Sequence, residues 1–136
     1  MQVVLDPGAK TPTRAHTFDA GLDLYAQENK IIPTRVSAIF DTGVHIGIPP
    51  GMAGFLKSKS GLNVKHDITG EGVIDHGYTG SIVAKLYNHG DTDYEVQAGD
   101  KIIQFVIIPI CTFDLEQAEA LPETERGAGG FGSTGK

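Results

Sequence analysis

The sequence predicts an all-β fold, a barrel or a jelly-roll-like sandwich, on three observations. Apolar residues alternate with others at a period of two in several short runs, as half-buried strands require. No long segment repeats apolar residues at helical spacing. The 18 glycines and 7 prolines are spread along the chain rather than pooled in a linker, which suits short strands joined by turns.

The elements follow in chain order. Val36 to Phe40 is β-branched and aromatic enough to be a strand. Val44, Ile46 and Ile48 alternate with His45 and Gly47, and Pro49-Pro50-Gly51 then makes a turn. Met52, Gly54 and Leu56 alternate with Ala53, Phe55 and Lys57. Ser60 to His66 reads as a short helix, and Ile68 to Val83 as a hairpin. Ile82, Ala84 and Leu86 alternate with Val83, Lys85 and Tyr87. Turns are expected at Asn88 to Asp91 and Ala98 to Asp100. Ile102 to Ile110 is a strand so apolar that burial on both faces is expected. Gln117 to Leu121 suggests a further turn or two of helix. From Glu123 the chain turns Gly-rich and polar. This divides it into a core domain, residues 1–122, and an arm, residues 123–136, expected to be mobile unless a surface orders it.

At 136 residues the chain is one domain, long enough to bury a core without staples. Cys111 has no second cysteine to pair with and lies just beyond an apolar run, where a buried, inert thiol is expected. No apolar stretch approaches the length of a membrane span and no secretory signal is evident, so a soluble, cytoplasmic protein is expected. The formal net charge of −6 argues against binding nucleic acid through a broad basic face. It leaves room for a small anionic ligand held by a few placed cations.

Five segments carry the chemistry. They are Asp19 to Tyr25 (DAGLDLY), Lys59 to Leu62 (KSGL), Gly72 to Gly80 (GVIDHGYTG), Gly99 to Gln104 (GDKIIQ) and Arg126 to Thr134 (RGAGGFGST). In this order and spacing they resemble the five motifs of the trimeric dUTPase family. Any one of them alone is a weak signal; the five together are specific. The resemblance implies a distorted jelly-roll core with a flexible Gly-rich arm. It implies hydrolysis of dUTP to dUMP and pyrophosphate, which limits uracil incorporation into DNA and supplies dUMP for dTMP synthesis. It also implies magnesium on the triphosphate and a homotrimer whose sites combine motifs from different subunits.

Carried over residue by residue, the resemblance makes Asp75 the carboxylate that activates the attacking water. A carboxylate is a weak base for bulk water, but it can orient a water and take its proton as the bond to phosphorus forms. By itself, an Asp just before Gly77 reads as a turn residue. Tyr78 would pack on the deoxyribose and exclude a 2′-hydroxyl, a role compatible with packing on the core. Main-chain groups of the hairpin, around Gly70, Val73 and Val83, would read uracil, with glycines allowing close approach. Thr69 stands where some members carry Asn.

The phosphates fall to other segments. Lys59, Ser60 and Gly61 match a phosphate-binding turn, with Lys59 where many members have the bidentate Arg. Lys57 reads as a solvated strand residue. Gln104 matches a phosphate-contacting Gln, and Lys101 replaces another frequent Arg. Asp23 matches an Asp that holds the hydrated metal or orders neighbouring charged residues; Asp19 reads as a turn residue. In the arm, Arg126 would reach the terminal phosphates, Phe131 would stack on uracil, and Gly132, Ser133 and Thr134 would cradle the γ-phosphate.

Other readings are weaker. Gly130 to Lys136 imitates a P-loop but has neither the Ser or Thr after the lysine nor a following helix. His16, His45, His66, His76 and His89 show no paired metal-ligand spacing. A dCTP deaminase of the same fold is one rival, disfavoured by the Asp75–Tyr78 pattern and the tail. A catalytically dead regulatory protein is another; the intact set argues against lost activity and leaves a regulatory protein partner open.

Overall fold

The computed structural model describes residues 1–130. It is an all-β, jelly-roll-like fold of ten strands and one short helix among the described residues. The strands are β1 (Val3–Leu5), β2 (Gly21–Tyr25), β3 (Lys30–Ile32), β4 (Ser37–Asp41), β5 (Val44–Ile46), β6 (Met52–Ser58), β7 (Ile68–Ile74), β8 (Val83–Asn88), β9 (Tyr94–Val96) and β10 (Lys101–Pro109). The helix α1 spans Ser60–His66. Six strands form an antiparallel sheet in the order β2-β10-β6-β7-β8-β4, and β1–β5 and β3–β9 form two ribbons. All three pieces close on one core. Phe40, Leu56, Leu86 and Phe105 from the large sheet meet Ile32 and Val96 from one ribbon and Val44 from the other. No helix among the described residues is long and apolar enough to cross a membrane.

The alternation expected of the strands is the burial pattern observed. Along β8, Val83, Lys85 and Tyr87 face out while Ala84, Leu86 and Asn88 are buried. Buried Asn88 is satisfied: its amide donates to the carbonyls of Ile32 at 3.0 Å and Thr92 at 2.8 Å, and its oxygen accepts from the Gly90 amide. The helix forms where expected. It ends at Asp67 in the left-handed conformation (φ 54°), whose amide donates back to Asn63, and Lys65 and His66 sit in its last turn, where cations complement the helix dipole.

Three expectations fail. Within one chain β10 is not buried on both faces. A register shift between Lys101 and Ile103 buries Ile102 and Ile103 in succession. Beyond it the strand alternates, with Phe105 in the core while Val106 is half-buried and Ile108 exposed. Residues 117–121 form no helix, since so short a segment has no packing surface to offset the cost of nucleation. Cys111 is exposed rather than buried, because the sheet stops at Pro109 and the chain beyond leaves the core.

Candidate active site

A basic cluster forms where β2, β10 and the start of α1 meet. Strand register places Asp23 opposite Gln104, Gln104 opposite Lys57, and Lys57 opposite Glu71. These four residues therefore share one row on the outer face of the sheet. Asp23 is 5% exposed. Lys59 donates to one of its oxygens at 2.5 Å and Lys101 to the other at 2.8 Å. Burial alone would raise the Asp23 pKa; hydrogen bonds and charge from the two lysines override it and hold the carboxyl below its ordinary value. The same contact raises Lys101. The carboxylate thus gathers two cations side by side.

Gln104 is half-buried over Gly21, where a Cβ would lie 3.2 Å from the Gln104 Cβ. Its amide makes no hydrogen bond among the described residues, and so it is free to meet a ligand. Lys59 occupies the extended junction before α1. Ser60 and Gly61 follow it, exposed, with first-turn amides that have no intrahelical acceptor. Lys57 pairs with Glu71 at 2.9 Å on the solvated face. Asp19 accepts from the His16 amide at 2.8 Å within a turn.

Asp75 and Tyr78 lie in the loop 75–82. The Tyr78 amide donates to the Asp75 carbonyl at 3.2 Å, with Gly77 at φ 88°, a conformation that costs glycine little. Asp75 is exposed. The Tyr78 ring folds back so that its hydroxyl donates to the Ser81 carbonyl at 3.0 Å. A Cβ on Gly80 would lie 2.4 Å from that hydroxyl, so glycine there makes room for the ring.

Between β7 and β8 the sheet opens. The two pair only from Ile68–Asn88 to Gly70–Leu86. Beyond that, β7 continues along β6 through Glu71 to Ile74, while β8 continues along β4 from Lys85 to Val83. The expected hairpin is present but splayed. Main-chain groups of Gly72 and Val73 and of Val83 therefore flank an opening without interstrand partners across it. Gly70 closes the ladder at its mouth: its amide donates to the Ser58 hydroxyl at 2.9 Å. A Cβ at Gly70 would meet Leu86 at 2.7 Å. Thr69 contacts His89 at 2.8 Å.

One chain does not bring these parts together. Ile74 pairs with Gly54, so Asp75 is level with Ala53. From there to Lys59 the strand rises about 20 Å at about 3.3 Å per residue. Arg126 is exposed in a turn, donating to the Gly129 carbonyl at 3.0 Å. Phe131, Gly132, Ser133 and Thr134 lie outside the described residues.

Among the described residues no three His, Cys, Asp or Glu side chains converge as a metal cage. Both Asp23 oxygens are engaged by ammonium groups. The donor set does not fit direct ligation of a magnesium ion by protein. It fits an ion carried by phosphates and water, which needs no cage.

Sequence reasoning missed the supports of the loop. Asp41 accepts from the Ser81 hydroxyl and from the Gly43 amide, which with nearby His45 holds its carboxyl below its ordinary value. His45 contacts Thr79 and Asp6, and His76 contacts the Ile48 carbonyl at 2.6 Å. Residues so far apart in the chain carry no local signal.

The sequence pattern of the dUTPase family matches residues 8–135. The deoxyuridine 5'-triphosphate nucleotidohydrolase of Kluyveromyces lactis is 44% identical over 94% of this chain and 88% of its own length. That of Clostridium tetani is 43% identical over 98% and 94%. Among solved structures, a mutant dUTPase of Staphylococcus bacteriophage 80alpha with dUpNHpp superposes with a TM-score of 0.93 at 30% identity, covering 99% of this chain and 98% of that one. A mutant dUTPase from phage phi11 of S. aureus, which reveals coordination of a structural Mg(II) ion, gives 0.83 at 29% identity over 90% and 98%.

Proposed function

This chain belongs to the dUTPase family, and from that premise we propose that it hydrolyses dUTP to dUMP and pyrophosphate by in-line attack of an Asp75-held water on the α-phosphorus. The observation that carries this reading is the splayed β7–β8 opening with Asp75 and Tyr78 at its end. A planar base edge entering the opening meets main-chain donors and acceptors already freed from the sheet. Uracil matches a fixed donor and acceptor pattern that cytosine mismatches, and a narrow slot resists the thymine methyl. Tyr78, braced on Ser81, is the wall against which a deoxyribose packs and a 2′-hydroxyl would collide.

The basic cluster supplies the phosphate end. Lys59 and Lys101 stand together on Asp23, with the free Gln104 amide beside them and the Ser60 and Gly61 amides at the start of α1. Such groups act by positioning and by charge, the main needs of phosphoryl transfer. Magnesium carried in with the substrate would neutralise charge on the leaving pyrophosphate, beside the charge that Lys59 and Lys101 supply. The arm, with Arg126, Phe131, Gly132, Ser133 and Thr134, then closes over base and γ-phosphate and excludes water.

The separation of about 20 Å along β6 supports a shared site in a homotrimer, in which one subunit presents Asp75 and another the basic cluster. Apolar surface supports it too. Val106, Phe55 and Val73 form one outward row across β10, β6 and β7. Phe113 is 82% and Leu115 99% exposed. These side chains await a second copy. The products fit a role in limiting uracil in DNA and in supplying dUMP.

The test is pyrophosphate release from dUTP, with magnesium and with chelator, for the native chain and Asp75→Asn. Release from dUTP and not from dCTP, dTTP or UTP is expected, with a loss of at least about a thousandfold in the Asn variant and unchanged thermal unfolding. Undiminished turnover in that variant would remove Asp75 from the mechanism. Ammonia release from dCTP would replace the reaction with deamination.

A further inference from the structure

His45 stands between two acceptors. Its Nδ1 is 2.8 Å from the Thr79 carbonyl and its Nε2 is 3.2 Å from an Asp6 carboxylate oxygen. A carbonyl and a carboxylate offer lone pairs only. A neutral imidazole has one N–H, so it would satisfy one partner and turn its own lone pair on the other. Only the imidazolium donates to both. We propose that His45, as the imidazolium, is a positioning residue that ties the loop 75–82 to the N-terminal segment and makes the presentation of Tyr78 and Asp75 depend on pH. The functional half of this inference rests on the dUTP-hydrolysing reading.

The surroundings support the cation. His45 lies on β5 opposite Val4 of β1, half-buried, in a groove of ≈ 400 Å³ walled by Gln2, Val4 and Asp6 on one side and Tyr78 and Thr79 on the other. The charged group facing the ring from beyond β1 is Asp6, and from β4 it is Asp41; from the loop come the Thr79 carbonyl and the Tyr78 phenol. Among the described residues no lysine or arginine lines the groove. The Thr79 carbonyl, against some desolvation, and then Asp6 and Asp41 raise the His45 pKa above its ordinary value. Asp6 is itself fixed, its amide donating to the Gly43 carbonyl at 2.8 Å.

The loop has other anchors. Ile82 exchanges main-chain bonds with Val44 and Thr42, Ser81 reaches Asp41 and His76 reaches Ile48. His45 holds the carbonyl next to Tyr78. A raised folded-state pKa means that the clamp contributes fully below about 6.5, the ordinary histidine value, and is lost as pH rises through the folded value. The sugar wall then loosens on the alkaline side.

The full-length chain, His45→Gln and Asp6→Asn are compared in two measurements. The first is a 15N-detected titration of the His45 ring. A doubly protonated ring at neutral pH is expected, with a midpoint above the ordinary value that falls in Asp6→Asn. The second is kcat and KM for dUTP across pH 6 to 9, in about half-unit steps. The native KM should rise through the ring's midpoint. His45→Gln should show KM raised about tenfold at the acid end, with kcat less affected and no inflection in that window. An ordinary midpoint unmoved in Asp6→Asn, or an inflection that survives in His45→Gln, would overturn the clamp. A native chain that hydrolyses no dUTP refutes the parent reading instead, and the ring titration still decides whether the imidazolium clamp exists.

Discussion

Asp23 joins fold and chemistry in one side chain. It is a buried carboxylate on a strand, tolerated because two ammonium groups meet it. Asp23→Asn keeps the shape and removes the charge, leaving Lys59 and Lys101 to repel each other. Both lysines retain some solvent, so the loss is expected to be about 1–3 kcal/mol rather than that of a fully buried pair. Because the folded pKa is depressed, this stability is present above the ordinary carboxylate value and is lost as pH falls through the folded one. Urea midpoints of the native and Asn chains should differ at pH 7 and converge as pH falls below the depressed folded value of Asp23. Equal midpoints at pH 7 would show that the pair contributes nothing. The family pattern singled out Asp23 in the sequence and left two roles open, metal or ordering. The structure pairs its carboxylate with Lys59 and Lys101. Nothing local could have signalled that contact, since Lys59 is 36 residues away.

Strands were legible in the sequence because period-two burial is written directly in residue type, as along β8. The splay between β7 and β8 was not. It depends on β7 choosing β6 for one half and β8 for the other, and no alternation pattern encodes a change of partner. The apolar run in β10 misled for a related reason: its outer residues Val106 and Ile108 look like a second core face, yet no second layer among the described residues buries them. Under the proposed function the arm is the other element that takes its meaning from a partner surface. From Cys111 to Ala128 every residue is exposed, so deleting residues 123–136 should leave the thermal midpoint within about 2 °C, because the described residues 123–128 contribute no buried side chain. The same deletion should lower kcat/KM for dUTP by at least about a hundredfold if the arm completes the site. An unchanged kcat/KM would make the arm dispensable.

At the scale of the whole molecule the distance along β6 makes a sharper demand than any residue. If Asp75 and the basic cluster serve one phosphate chain, they must come from different copies, and inactive copies should then rescue each other. Asp75→Asn retains a sound basic cluster, and Gln104→Ala a sound loop. Refolded alone, each variant carries the same lesion in every site. Unfolded together in equal amounts and refolded, the chains mix, and a site takes its loop and its cluster independently. About a quarter of sites should receive both intact parts, so the mixture should recover about a quarter of native turnover while either variant refolded alone recovers almost none. The same samples should run as trimers by light scattering. Recovery matters more than mass here, because a trimer with each site confined to one subunit would have the right mass and show no rescue. Such a result would require the chain to bend until Asp75 reaches Lys59, which the pairing of β6 with both β7 and β10 forbids without breaking the sheet.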